Sequence, residues 1–449
     1  MRWLIVMLIG VIATLAIFSV QLSLGPGLSA KNAVLYAVLF GLMFRAALRG
    51  AQGFELPGLH LLFATWVGYA IATWLVAALV IKYPFYALIP NGIGVKAEML
   101  DSLLFFMVAF HALSDEIDVR TALKALAGAV GVANMATLLD LVGIVHLGIR
   151  VGATGAEEGR VFGVFGHAND TAALITCLLP VSVVVALEAR GFWRMVWASG
   201  ALASLAVLLL TVSRGAYVGV FVGSIWAAWL CRGFIPIQKI IAWAVGGFVS
   251  LVVAVVVGAV AIPGAWELIS NRLLGGGMNV DEMSSGRTVL WKQVIGTMWD
   301  HPITLLTGYG WDVYWVMPFR YATHNYYIYQ WFNLGLVGLL AFIGLIFYGV
   351  RRGLRAAQAH PSRLRDHHTA FVFAMLMLAV SVFFVNLSGQ WALVWIYFGV
   401  AMRAMQIDLA PARVESGAAE PVIRSVLPRR PAPVGVRAFH HGPSSSGLR

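Results

Sequence analysis

Apolar residues run along this chain in long unbroken blocks, and polar positions gather between the blocks instead of alternating within them. Continuous runs of this length read as helices, whereas half-buried strands would alternate at a period of two. The blocks fall at residues 3–20, 33–48, 59–81, 98–113, 122–147 and 171–187 in the first half of the sequence. Six more lie at 193–212, 215–231, 239–262, 326–350, 369–386 and 390–404. A bilayer core roughly 30 Å thick takes about 20 predominantly apolar residues per helix, so the pattern predicts an all-α polytopic membrane protein with about 12 transmembrane helices.

Composition agrees and narrows the class. The chain is 60% hydrophobic and 11% charged, with a mean hydropathy of +0.84. Soluble domains carry roughly 25% charged residues, so that class is excluded. The lack of alternating strands excludes a transmembrane barrel. Cys177 and Cys231 sit inside or at the end of apolar blocks, where free cysteine packs as a small hydrophobe, and imply neither a disulfide framework nor a metal cluster.

Charge placement predicts orientation, because Lys and Arg of short loops are retained on the cytoplasmic side. With the amino terminus inside, 21 of the 31 basic residues fall on the inner side, among them Arg45, Arg49, Arg120, Lys124, Arg351 and Arg352. The outer remainder, which includes Lys31, Lys96, Arg160, Arg214 and Arg287, is spread over more loop length. Both termini are therefore expected in the cytoplasm. The net charge of +11 follows from this topology and calls for no nucleic-acid partner. The expected organisation is a transmembrane domain over 1–409 and a disordered basic tail over 410–449 that grazes anionic lipid headgroups. Two outer regions exceed simple turns: 148–170, and one large loop over 263–323 between the ninth and tenth spans.

The arginines of these regions carry the chemistry. Arg214 interrupts apolar sequence in LAVLLLTVSRGAYVGVFVGSIWAAWL, which holds it at the outer membrane boundary. A charge there is costly unless it snorkels or meets an anion. Arg287, in SSGRTVLWKQVIGTMWDHP, follows Ser284, Ser285 and Gly286, any of which caps a short helix running toward Trp299. A helix start with its free N–H groups, beside an arginine, suits an oxyanion. Arg160, in EEGRVFG, is a third candidate, although Glu157 and Glu158 are near enough to pair with it as an ordinary surface cluster. Three separated outer arginines suit a diphosphate better than a carboxylate, since each guanidinium offers two parallel donors and stays charged. In ATHNYYIYQWFNLGLVGLL, His324 and Asn325 stand where a loop enters an apolar helix. They read either as a general base with its neighbour or as a plain helix cap, with Tyr321, Tyr326, Tyr327 and Trp331 forming an interfacial belt. His167, Asn169 and Asp170 in GHAND read as a cap that helps shape the site.

The ordered set GRVFGVFGHANDTAAL, TVSRGAYVGV, SSGRTVLWKQVIGTMWDHPITLLTGYGWD and ATHNYYIYQWFNLGLVGLL resembles the bacterial O-antigen ligase and polymerase superfamily, over roughly 159–340. The twelve-span layout is similar to the ligase branch. That resemblance implies a GT-C-like glycosyltransferase of the bacterial inner membrane with its active site on the periplasmic face. It would take a glycan from undecaprenyl diphosphate and transfer it to the lipid A core, completing lipopolysaccharide, without a cofactor. The family's functional arginines and histidine fall on Arg214, Arg287 and His324, and a further arginine falls on Arg160.

Metal dependence is argued against by the first outer loop, QLSLGPGLSAK, which has no acidic residue. Asp115, Glu116 and Asp118 are assigned to the cytoplasm, and Asp281 and Glu282 near Arg287 remain as a weak alternative. Arginines are expected to replace the metal, so activity should survive EDTA, and complete loss restored by magnesium or manganese would contradict this. GYGWD, 308–312, lacks a preceding strand and reads as a turn, not a nucleotide loop. Two rivals stay open. One is a repeat-unit polymerase of the same superfamily. The other is a transporter of lipid-linked glycan, for which broken helices and interior polar residues such as Asn134, Asp140, Asn386 and Gln390 would be the sign.

Overall fold

In the computed structural model the described residues are 2–18, 23–48, 58–148, 159–236, 238, 286–319, 323–359, 362–386 and 391–410. Every predicted apolar block that falls on them meets a helix, and the ninth block, 239–262, lies outside them. Asp281, Glu282, Ser284, Ser285, Tyr321, Gln390 and all of the tail beyond residue 410 also lie outside.

The helices are α1 (Arg2–Ile17), α2 (Ala30–Leu48), α3 (Gly58–Leu75, extended by a π turn over Val76–Ile81), α4 (Leu88–Val95), α5 (Asp101–Ala112), α6 (Glu116–Leu141), α7 (Ala168–Glu188), α8 (Gly191–Leu210) and α9 (Arg214–Cys231). After residues outside the description come α10 (Arg287–Asp300), α11 (Ile303–Thr307), a 3₁₀ turn at Val313–Val316, α12 (Tyr326–Ala359), α13 (Arg365–Ser381) and α14 (Trp391–Leu409). A small hairpin pairs β1 (Ser23–Gly25) with β2 (Leu28–Ser29) between α1 and α2.

Among the described residues eight helices are long and apolar enough to cross a membrane: α2, α3 with its extension, α6, α7, α8, α9, α12 and α14. The chain is a multi-pass membrane protein, and its described residues are helical apart from the small hairpin and the connecting turns. Three predicted blocks meet shorter helices: α1, α13, and α5, which a π turn over Lys96–Leu100 joins to α4. In α7 and α14 72% of the apolar window is buried, against 22% in α2 and α3, so the first pair stands at the centre of the bundle and the second pair presents its apolar surface outward.

Helix α6 begins at Glu116, ahead of its apolar block, because its first turn is charged. Asp115 caps it, accepting from the Asp118 amide at 2.8 Å, and Glu116 and Asp118 lie at the positive end of the helix dipole. A seam of small residues fixes α9. A Cβ on Gly215, Gly219 or Gly223 would collide with Phe384, with Ser381, or with the backbone of Met377, so only glycine lets α9 lie this close to α13.

Helix α12 is two helices in one run. Gly335, with φ 61° and ψ −162°, breaks it, leaving a short leading segment and a long trailing one. The carbonyls freed at the break are not orphaned. Tyr309 N–H donates to Phe332 O at 2.8 Å and Gly310 N–H to Asn333 O at 3.0 Å. GYGWD is thus a turn, as its sequence suggests, and its role is to cap a broken helix. A Cβ at Gly308 would lie 2.4 Å from Asn333 O, and one at Gly335 would lie 2.2 Å from Leu306 O, so the two strands of chain meet through glycine on both sides.

Candidate active site

The site is built around the turn that follows α13, Val382–Asn386. Tyr326 N–H donates to Val382 O at 2.8 Å, which seats the start of α12 on the turn. Arg287, first residue of α10, donates Nη1–H to Phe384 O at 2.9 Å. The Phe384 side chain lies against Gly215, beside Arg214 at the start of α9. Asn386 Nδ2 reaches Thr323 Oγ1 at 3.4 Å, and the Trp291 indole of α10 donates to Thr323 O at 2.7 Å. One turn of backbone therefore gathers the leading ends of α9, α10 and α12, three segments separated by scores of residues, with Arg214, Arg287 and His324 at those ends.

Asn325, not His324, caps α12. Its Oδ1 accepts from the amides of Tyr327 at 3.0 Å and Ile328 at 3.1 Å. His324 sits just ahead with φ 47°, a left-handed conformation uncommon for a side chain of this size. Strain of this kind persists only where the surroundings over-determine it, and it concentrates at functional positions. The imidazole is half-buried; burial first, then the Arg287 charge and the His167 ring, hold its pKa at about 4. It is therefore neutral at pH 7, with a lone pair available, and both named groups lie within electrostatic reach of it.

His167 is the cap of α7, its Nδ1 accepting from the Asn169 amide at 3.4 Å. Asn169 in turn joins the arginines: its Oδ1 accepts from Arg160 Nη2 at 2.6 Å and from Ser213 Oγ at 3.0 Å. Arg160 also donates Nε–H to Thr211 O at 2.8 Å and is only 2% exposed. The next backbone amide, Val161, bonds Leu210 O at 3.1 Å, so residues 160–161 run alongside the end of α8. The Arg160 guanidinium is thus engaged in the wall behind Ser213–Arg214. Arg214 is half-buried and makes no side-chain hydrogen bond to a described residue. Of the three arginines, Arg214 and Arg287 are the more accessible, and Arg160 braces the loop that ends in Arg214.

Hydrogen bonds link Arg160 to Asn169 and Asn169 to Ser213, His324 lies within electrostatic reach of His167 and Arg287, and Arg287 bonds the turn that abuts Gly215. Arg160, His167, Asn169, Arg287 and His324 are thus brought near one another, Arg214 follows Ser213 at the start of α9, and Asn325 follows His324 as the cap of α12. Of the aromatics expected to form a belt, Tyr321 lies outside the described residues, Tyr326 is buried, and Tyr327 and Trp331 are half-buried. Tyr326 is 3% exposed, the Tyr327 hydroxyl bonds Ala379 O at 2.8 Å, and Trp331 Nε1–H bonds Leu305 O at 3.0 Å, so these rings pack inward. Sequence reasoning missed Thr323, Ser213 and the Phe384 turn. Ser213 directly precedes Arg214, and that adjacency was the one readable signal.

Two of the interior polar residues have structural partners. Asn134 Nδ2 donates to Ser204 Oγ at 3.0 Å between α6 and α8, and Asp140 accepts from the Leu147 amide beyond the end of α6. Among the described residues no group of three or more His, Cys, Asp or Glu is placed to hold a metal ion.

Residues 199–343 match the sequence model of the family described as O-antigen ligase. The matched stretch, about a third of the chain, takes in Arg214, Arg287 and His324 and leaves Arg160, His167 and Asn169 ahead of it. No curated protein matches the chain. The matched domain is of a kind found in membrane enzymes that transfer lipid-linked glycans, and the match covers ligase and polymerase alike.

Proposed function

We propose that this protein transfers O-antigen glycan from undecaprenyl diphosphate to the lipid A core oligosaccharide on the periplasmic face of the inner membrane. The observation that carries the reading is the convergence of Arg214, Arg287 and His324 on the turn at Phe384. In the proposed step an acceptor hydroxyl oxygen attacks the anomeric carbon of the donor glycan. The bond from that carbon to the diphosphate breaks, and undecaprenyl diphosphate leaves with the electron pair. The hydroxyl proton passes to neutral His324, while Arg214 and Arg287 stabilise the charge on the leaving diphosphate. Arg160 and Asn169 position Ser213 and Arg214, Asn325 and His167 hold the loop around His324, and no metal or other cofactor is required.

The low pKa of His324 has a consequence for pH dependence. Protonated imidazole has no lone pair to offer, so rate falls as pH drops through its pKa. In the free enzyme that value is about 4, and kcat/KM is expected to stay flat from pH 8 down to about 5. A bound diphosphate adds negative charge beside the ring and favours imidazolium, so the acid limb of kcat should lie at higher pH than that of kcat/KM. Initial rates from about pH 3 to about pH 8.5, at low and at saturating donor, check this. Coincident limbs would remove His324 from contact with the diphosphate.

The reading itself is tested with purified protein, undecaprenyl diphosphate glycan and lipid A core, scored for joined product. Lengthening of donor chains with inert core would instead assign the polymerase activity. The break in α12 at Gly335 is a feature shared with transporters. Passage of donor across vesicle membranes with no bond formed would assign that function.

A further inference from the structure

A second cluster of charge lies on elements that contribute none of the residues above. Asp101, at the start of α5, is 2% exposed and fully engaged: Oδ2 accepts from Asn32 Nδ2 at 2.9 Å and from Lys96 Nζ at 2.9 Å, and Oδ1 accepts from the Tyr36 hydroxyl at 2.8 Å. Lys96 Nζ also donates to Gly27 O at 2.7 Å, tying the hairpin to the π turn. The Lys96 charge neutralises Asp101. Lys31, half-buried in the first turn of α2 and within electrostatic reach of both, makes no hydrogen bond or ion pair with a described residue. Glu98, the next acid along, turns its carboxylate to the Tyr329 hydroxyl at 3.3 Å and offers Lys31 nothing.

The cluster therefore holds one surplus cation at the amino end of a 19-residue helix. Two further groups there lack partners. The Ser29 hydroxyl and Asn32 Oδ1 are buried atoms without a hydrogen bond, and Asn32 itself is 4% exposed. A cation and a hydroxyl suit phosphate oxygens, and a buried amide oxygen asks for a hydroxyl or amide donor. A phosphorylated sugar supplies both. Beside the cluster runs an apolar groove of about 430 Å³ lined by Pro26, Leu28, Trp74, Leu88, Ile93 and Lys96. It has the character of a site for acyl chain, with Lys96 at its polar edge.

The elements that carry the cluster lie against the catalytic helix, the Tyr329 hydroxyl of α12 donating to Glu98 of the π turn. A Cβ on Gly94 of α4 would lie 3.2 Å from Asp312 Oδ2, and Asp312 Oδ1 accepts from the Tyr329 hydroxyl at 2.9 Å, one and a half turns from His324. Transfer between two lipid-anchored substrates needs two anchoring sites, and Arg214 with Arg287 accounts for one.

We propose that Ser29, Lys31, Asn32 and Lys96 bind the phosphorylated, membrane-anchored sugar of the acceptor glycolipid, with one of its acyl chains in the adjacent groove. This rests on the reading of the protein as a lipid-to-lipid glycan transferase. The test uses full-length protein in nanodiscs with diphosphorylated lipid A core and its phosphatase-treated counterpart. Lys31→Gln is expected to raise KM for the phosphorylated acceptor about tenfold while leaving donor KM in place, and Lys31→Arg to restore it. Ser29→Ala, the gentler variant, should raise acceptor KM about threefold. On the dephosphorylated acceptor the Lys31→Gln and parent proteins should not differ. A rise in donor KM, an equal effect on both acceptors, or no effect would overturn the assignment. Direct binding of lipid A without donor separates the two claims. Lys31-dependent binding by a protein that joins nothing would sink the transfer reading and keep the site. Equal competition by phosphatidylglycerol would make the site one for ordinary acidic lipid and overturn the acceptor assignment.

Discussion

His324→Ala is expected to reduce glycan transfer by roughly 10² to 10⁴-fold, with donor binding retained. The imidazole is half-buried, neutral at physiological pH and electrostatically coupled to Arg287, while the capping of α12 rests on Asn325. Loss of the ring would therefore remove the proposed proton acceptor without uncapping the helix. Alanine is disfavoured in the left-handed conformation that His324 adopts, whereas asparagine tolerates it, so His324→Asn serves as the companion variant. Both should migrate as folded, monodisperse protein with turnover near background. Transfer at the parental rate in either variant would exclude His324 as the base.

The second large effect is expected at Arg214. Replacing it by alanine should lower kcat by about 10² to 10³-fold, as when a single preorganised donor to a developing anion is removed. Arg214 is the cleaner position for this test than Arg287. Arg214 makes no side-chain hydrogen bond to a described residue, so its removal strands none of them, whereas Arg287→Ala would also free the Phe384 carbonyl and loosen the turn. Lysine keeps the charge but not the two-pronged geometry, so Arg214→Lys should recover only part of the rate. Steady-state kinetics on the three proteins check this. Equal kcat in all three would leave Arg214 as a snorkelling interfacial residue.

Which parts of this arrangement were legible in the sequence follows from what each signal measures. Hydropathy located the helices because lipid-facing and core-facing residues are equally apolar, and for the same reason it was blind to the break at Gly335, which sits inside FNLGLVGLL. Nothing local marks that break; its compensation comes from the amides of Tyr309 and Gly310, brought in by the fold. The charged first turn of α6 was likewise invisible to an apolar window, although Asp115 and Asp118 form a readable cap. Arg214, Arg287 and His324 stood out because charge and imidazole at a membrane boundary are expensive and few. Their shared anchor did not stand out, because Phe384 contributes a backbone carbonyl and a ring face, and neither has a sequence signature. For Arg160 the sequence offered pairing with Glu157 and Glu158, which lie outside the described residues, and gave no sign of the buried bonds to Thr211 and Asn169 that the structure shows.

The glycine seam explains why the site holds together at all. With Gly215, Gly219 and Gly223 laid against α13, the position of Arg214 relative to the Phe384 turn is set by backbone contact, not by flexible side chains. The leading segment of α12 is fixed at both ends, by Val382 at Tyr326 and by the GYGWD turn at Phe332 and Asn333. Rigid placement of this kind is what electrostatic stabilisation of a leaving group demands, because donors that must reorganise lose much of their advantage.

The central claim is that one pocket presents two guanidinium groups to a diphosphate and one imidazole to the attacking hydroxyl. An electron cryomicroscopy map of the protein with undecaprenyl diphosphate glycan, trapped in the His324→Asn variant, tests it most directly. The account predicts diphosphate density between Arg214 and Arg287 with the anomeric carbon facing residue 324; diphosphate seated away from both arginines would contradict it.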